Sequence, residues 1–239
     1  MTTVASVVDR AARRCSITPP SSWISSTTAT GLEFKDILNE VVEELRDRLD
    51  LPDPITQEQV ISGDGSASYS LNSDFYRLTR DEWAVFETTS TRRSCIPVTT
   101  NGAWTYLEDI GSAAGNRYYR LAGDEDDGFT IEFYRPLETG DSVTVSYITR
   151  NWLRISSTEG ETWSDAAAEL LWPPVVVRLG IIAKFRERKG LQYNADMARY
   201  EAYLSRSTND RRGIKTINMG GPEPRSPWDI PPPDFVPSS

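Results

Sequence analysis

Residues 129–149 read FTIEFYRPLETGDSVTVSYIT. Two runs rich in aromatic and β-branched residues, 129–134 and 143–149, are split by Arg135-Pro136-Leu137 and by Gly140-Asp141. Such side chains suit a pleated, half-buried surface, and proline and glycine punctuate it. The stretch therefore predicts a β-hairpin. The same texture continues toward the N-terminus at 66–71, 75–79, 83–89, 93–98, 103–108 and 117–121. Turn signals at Gly63-Asp64-Gly65, Asn101-Gly102 and Gly123-Asp124 separate these runs. Residues 56–150 are thus expected to form an antiparallel β module of sandwich or open-barrel type.

Helical patterns flank this module. Residues 3–14 place Val4, Val7, Val8 and Ala11 on one side. Thr30 with Glu33 three residues on reads as a capping box. Phe34, Ile37, Leu38, Val41, Val42, Leu45 and Leu49 then follow at the spacing of one buried helix face. After the β module, Ser164-Asp165 is expected to cap a short helical run at 166–171. Pro173 and Pro174 suit the first turn of a helix over 175–189, where their missing N–H groups cost nothing, and Gly190 suits its end. Tyr193, Met197, Tyr200 and Leu204 predict a last helix ending near Ser207. The expected fold class is α+β: a bundle of N- and C-terminal helices with an inserted antiparallel β-sandwich or barrel. The boundaries are 1–55 and 151–208 for the helical part, 56–150 for the β part and 209–239 for an extended arm.

The arm is set apart by proline. Residues 220–239, GGPEPRSPWDIPPPDFVPSS, hold seven of the chain's 15 prolines, a density that neither helix nor central strand tolerates. An extended, polyproline-like backbone is expected. Trp228, Ile230, Phe235 and Val236 are spaced along it as apolar anchors, the pattern of a peptide that docks in a groove, with a disordered C-terminus as the alternative reading.

Composition narrows the function classes. Net charge is −9, which argues against a general binder of nucleic acid or membrane. The charge is uneven, with residues 173–215 at +6, 216–239 at −2 and 1–172 at −13. An acidic body with a basic helical segment suggests contact between copies, or with a partner, through opposite surfaces. No apolar run approaches the length of about 20 residues that spans a membrane, and the basic residues at 10–14 follow the apolar ones, the reverse of a secretory signal. Cys15 and Cys95 are isolated, so neither a disulfide framework nor a zinc site is indicated. The chain has 0 histidines, which removes Ser-His and Cys-His nucleophiles and histidine bases together. No cofactor and no catalytic activity are expected.

Several features carry competing readings. Asp124-Glu125-Asp126-Asp127-Gly128 resembles a calcium loop, but Arg135 occupies the twelfth position where an EF-hand places glutamate, and a solvated hairpin tip is the better reading. Asp64 reads as a turn residue. Tyr69, Trp83, Trp104, Tyr106, Tyr118, Tyr119 and Trp152 read as core and cross-strand pairs, with a carbohydrate- or host-surface-binding β-sandwich of a tail component as the alternative. Nothing brings two carboxylates together as a glycosidase requires. Lys184, Arg186, Arg188 and Lys189 wrap around a helix end, which favours a solvated or subunit-contacting role over a grip on DNA.

The order of elements, together with several phrases, resembles the head-to-tail adaptor (head-completion) proteins of short-tailed bacteriophages. The phrases are Phe75-Tyr76-Arg77-Leu78, Arg117 to Asp124 (RYYRLAGD), Phe129 to Pro136, Val143 to Tyr147, Trp163-Ser164-Asp165, Glu169-Leu170-Leu171 and Lys184 to Tyr193 (KFRERKGLQY). The resemblance covers about residues 30–207. It departs at Ala168, where the family has proline, and in the more acidic insert 123–128. What it implies is a structural virion protein, synthesised in the host cytoplasm. Twelve copies usually form a ring beneath the portal protein, which extends the DNA channel and receives the tail. The implied partners are the portal, neighbouring adaptor subunits and tail nozzle or tail-fibre proteins, with genomic DNA passing through and no membrane involved. The C-terminal part would reach the portal, with Trp228, Ile230 and Phe235 filling pockets.

Overall fold

In a computed structural model, which describes residues 2–51, 54–89, 92–110 and 116–209, the stretch 129–149 does not fold back on itself. Gly128–Phe133 and Ser142–Thr149 enter different sheets. The segment between them is held by another loop: Leu137 N donates to Ser66 O (3.0 Å), Gly65 N to Leu137 O (2.8 Å) and Gly63 N to Asp141 O (2.9 Å). Leu137 itself is 0% exposed. Burying that side chain opens the would-be turn into a bridge between sheets, and this corrects the expected hairpin.

In chain order the strands are β1 Thr56–Ser62, β2 Ser68–Ser70, β3 Phe75–Leu78, β4 Val85–Glu87, β5 Arg93–Ser94, β6 Ile96–Pro97, β7 Tyr118–Asp124, β8 Gly128–Phe133, β9 Ser142–Thr149, β10 Leu153–Ile155, β11 Thr158–Gly160 and β12 Glu169–Leu170. The helices are α1 Val4–Arg14, α2 Ala29–Arg48, α3 Asn101–Ile110, α4 Pro174–Arg188 and α5 Asn194–Asn209. The class is mixed α+β with mostly antiparallel sheets. β9 is the axis of the largest sheet, pairing with β1 on one edge and with β3 and β4 on the other. β8 pairs instead with β2 and, across the tight tip 124–128, with β7; β6 joins β7 in parallel. Side chains of both sheets meet in one core, where Phe75, Val143, Val145 and Tyr147 face Tyr119, Ile131 and Phe133.

Three local expectations change. Residues 103–108 belong to α3, not to a strand. Thr100 Oγ1 accepts from Ala103 N (3.2 Å) and so caps a helix, and the Asn101-Gly102 pair lies in its first turn. Residues 166–171 form no helix. Asp165 Oδ1 accepts from Ala167 N (2.8 Å) in a turn, after which β12 pairs with β10. The cap of α2 is Thr28, whose side chain accepts from Gly31 N (3.1 Å), and Glu33 is used elsewhere. β1 and the small sheet β11-β10-β12 lie beyond the predicted strands.

The helices gather on α4, which contacts α1, α2 and α5. Their core includes Val4, Val8, Phe34, Ile37, Val41, Trp172, Val177, Ile181, Phe185, Tyr200 and Leu204. Phe34 stacks on Phe185 with centroids 4.8 Å apart, and Trp23 tilts onto Phe34 at 5.3 Å. α4 begins with Pro174 in its first turn, as expected. It ends in a Schellman arrangement: Leu191 N donates to Arg186 O and Gly190 N to Glu187 O, both at 2.9 Å.

Candidate functional site

α2 carries Glu33, Asp36, Glu40 and Glu44 at i, i+3, i+7 and i+11, one stripe of a helix. α4 answers it. Lys184 Nζ lies 2.8 Å from Glu40 and 3.0 Å from Glu44. Arg188 lies 2.5 Å from Asp36 and 2.7 Å from Glu40, and Lys189 2.8 Å from Glu33. Numbers rise along one helix as they fall along the other, so the pair is antiparallel. Arg186 pairs with Asp196, and Arg48 bridges Glu44 and Glu201 at 2.6 and 2.5 Å. Hydrogen bonds from Lys184 and Arg48 hold Glu40 and Glu201 below the usual glutamate pKa. Burial works against the charge on Lys184, yet its two carboxylates outweigh it and raise its pKa. Exposed pairs each contribute at most about 1 kcal/mol, so the ladder sets register more than stability. It also changes the reading of Lys184, Arg186, Arg188 and Lys189. Their charges are answered within the subunit by α2 and α5, while Arg188 and Lys189 stay partly exposed.

The acidic segment 124–128 is the tip of the β7–β8 hairpin. Asp124 Oδ1 accepts from Asp126 N (3.0 Å) and Asp127 N (2.8 Å), and Gly123 and Gly128 adopt φ of +88° and +86°. Asp124 thus spends one carboxylate oxygen on the turn, while Asp124 to Asp127 all stay exposed. Asp64 is likewise a turn residue. Its carboxylate accepts from Ser66 N (2.9 Å) and from the Tyr69 hydroxyl (2.8 Å), and these bonds, that from Ser66 foremost, lower its pKa. Among the described residues no group of three or more His, Cys, Asp or Glu is placed to hold a metal ion. Cys15 and Cys95 are free, and burial pushes the Cys95 thiol up to about 12.

The aromatic residues do not share a face. Tyr119 and Trp152 are buried in different cores. Trp104 is buried between Tyr134 (6.2 Å) and the Arg120 guanidinium (4.4 Å from the ring centroid). Trp83 and Tyr106 are exposed.

Charged clefts occur among the described residues. One, of about 540 Å³, lies among α1, α4 and α5, where Arg10, Arg14, Arg178 and Arg199 surround Val175, Leu179, Ile182 and Tyr203. None of these four arginines forms an ion pair among the described residues, and Asp196 at the cleft is engaged by Arg186. Sequence reading missed this site because its arginines come from three separate helices. Another cleft, of about 390 Å³, gathers Glu43, Asp47, Glu125, Asp126 and Glu161 around Arg46 and Arg150. Both guanidinium groups there bond backbone carbonyls and form no ion pair among the described residues, and Arg46 Nε is buried without a hydrogen-bond partner. Arg46 donates to Arg150 O (3.1 Å) and covers Tyr76 (5.0 Å), and Arg150 donates to Phe75 O (3.2 Å). The expected docking anchors Trp228, Ile230, Phe235 and Val236 lie outside the described residues.

The family model described as SU10 adaptor protein matches residues 2–220, and the chain belongs to that family. It is a phage adaptor, a structural virion component that associates with other head and tail proteins. No curated protein matches the chain. No helix among the described residues is long and apolar enough to cross a membrane.

Proposed function

We propose that copies of this chain form a dodecameric ring beneath the portal protein, extending the DNA channel and joining head to tail. The observation that carries this reading is the adaptor-family match across residues 2–220. The accompanying division of the chain is a helical bundle from 1–55 and 151–208, an inserted β-sandwich at 56–150 and an arm at 209–239. In its favour, one core draws only on residues from Val4 to Ile55 and from Ile148 to Leu204, whereas the other is confined to Ile61–Tyr147. The bundle provides a rigid ring segment, and the β part is free to face the tail nozzle or fibres.

In this arrangement the arm docks on the portal or a neighbouring subunit through Trp228, Ile230, Phe235 and Val236. Repetition around a ring makes modest contacts collectively strong. The net charge of −9 keeps a DNA duplex sliding, since carboxylates on a channel wall repel phosphates and offer no binding site. Electron microscopy of intact particles tests the position, and protein found anywhere but between portal and tail rejects the ring. Deleting 216–239 is expected to leave a folded subunit that no longer joins the portal. Normal head–tail joining by that variant rejects the role of the arm.

A further inference from the structure

Two charged features of the described surface are opposite in sign and in shape. The basic cleft is concave. Four arginines without ion pairs among the described residues stand around an apolar floor, and Val175 and Tyr203 are 38% and 40% exposed. Arginine and tyrosine around exposed aliphatic surface is the composition of an interface centre. The acidic feature is convex: Asp124 to Asp127, four consecutive carboxylates at the exposed tip of β7–β8, with backbone shape fixed in advance by the bonds to Asp124 Oδ1. Preorganisation of that kind lowers the cost of docking. The tip's own subunit does not satisfy it. Among the described residues none of its four carboxylates forms an ion pair, and Glu125 and Asp126 share their cleft with Glu43, Asp47 and Glu161, three further carboxylates around Arg46 and Arg150, whose guanidinium groups bond backbone carbonyls.

Tip and cleft share no element. One copy therefore presents both at once, as a head-to-tail contact requires, and such contacts make a ring when the rotation between copies closes. We propose that the β7–β8 tip of one copy docks in the arginine cleft of α1, α4 and α5 on a second copy. Asp126 and Asp127 reach Arg10 and Arg199 at the rim, and Tyr203 packs beneath them. The inference rests on the ring reading and assigns its interface. A long phosphate backbone fits less well, because the arginines surround a pit with an apolar floor and do not line a track.

The test uses full-length protein carrying Arg10→Glu with Arg199→Glu, or Asp126→Arg with Asp127→Arg. All four positions are exposed, so circular dichroism and Tm should match the parent. Self-association is followed by sedimentation velocity at low and high salt, and incorporation on portal-bearing heads by electron microscopy. Parent protein should assemble, less so at high salt. Each double variant should weaken association by at least about tenfold, and mixing the two variants should restore it, since each now carries the complement of the other. Assembly of either variant like the parent overturns the proposal, as does a mixture that fails to recover. Rescue of Arg10→Glu with Arg199→Glu by Asp229→Arg with Asp234→Arg overturns it in favour of the C-terminal arm as occupant. Duplex binding by the parent, lost in the arginine variant while self-association persists, overturns it in favour of DNA. A parent that stays monomeric both alone and on heads rejects the ring itself, and the proposal with it.

Discussion

Gly180 lies directly against Val41. A Cβ built on the glycine would stand 2.8 Å from Val41 Cγ1 and 3.1 Å from Tyr200 Cε2. Val41 and Tyr200 are both 0% exposed, and the branched valine has little freedom at χ1. The close approach of α2, α4 and α5 therefore depends on a missing methyl group.

Gly180→Ala sets two effects against each other. Helix propensity favours alanine by about 1 kcal/mol, while overpacking costs about 1–3 kcal/mol. The rigid neighbours put the second effect toward its upper end, and thermal unfolding should show a net loss of up to about 2 kcal/mol. Combining it with Val41→Ala should make the pair less destabilising than the sum of the single changes. Simple additivity in that double-mutant cycle would show that the contact does not limit packing.

A second prediction concerns Asp74. The buried Tyr147 hydroxyl donates to its Oδ1 (2.9 Å) and accepts from Asn72 Nδ2 (3.0 Å), while Thr149 Oγ1 donates to its Oδ2 (2.8 Å). Burial, with this carboxylate's help, pushes the tyrosine pKa up to about 12. Asp74→Ala strands two hydroxyl groups and should cost about 2–4 kcal/mol in denaturant unfolding. Tyr147→Phe removes the hydroxyl's bonds to Asp74 and from the exposed Asn72, leaves Asp74 its bond from Thr149, and should cost about 1 kcal/mol. Equal costs would contradict this assignment.

The two tip glycines should differ. Both have positive φ, which costs an ordinary residue about 1–2 kcal/mol. A Cβ on Gly123 would also fall 2.1 Å from Gly128 O, whereas one on Gly128 meets nothing within 4 Å. Gly128→Ala should lower stability by about 1 kcal/mol. Gly123→Ala should cost clearly more and distort the tip, read as backbone amide shifts at 124–128.

Acid should loosen the helical part. Glu40 and Glu201 have folded-state pKa values below the ordinary 4.5, through hydrogen bonds from Lys184 and Arg48. Their stabilisation is fully present above that ordinary value and is lost as pH falls through the lowered folded values. Tm should therefore drop with acid across that window, and Lys184→Met should blunt the drop. High salt should blunt it too, since the pairs are partly exposed.

Much of the helical organisation is legible in local spacing. Val4, Val7 and Val8, the apolar stripe from Phe34 to Leu45, and the Pro174 start with its Gly190 end all act within one or two turns. Residues 103–108 mislead because Trp104 and Tyr106 favour strands, although Thr100 supplies a helix cap. For the candidate site, the acidic tip is contiguous and visible. The arginine cleft joins residues 10 and 199, and no window along the chain contains both.

Helix positions and faces follow from the order of residues, because an α-helix satisfies its backbone and displays its stripe within a few neighbours. Strand partners do not follow in that way. Each strand leaves its hydrogen bonds to be met by a distant segment, and the winner is the pairing that also buries the right face. That competition sends β8 to β7 and β9 to β1, and puts Leu137 where a turn was expected. Folding likewise pairs Lys184 and Arg188 of α4 with carboxylates of α2 and gathers Arg10, Arg14, Arg178 and Arg199 around one cleft, where they form no ion pair among the described residues.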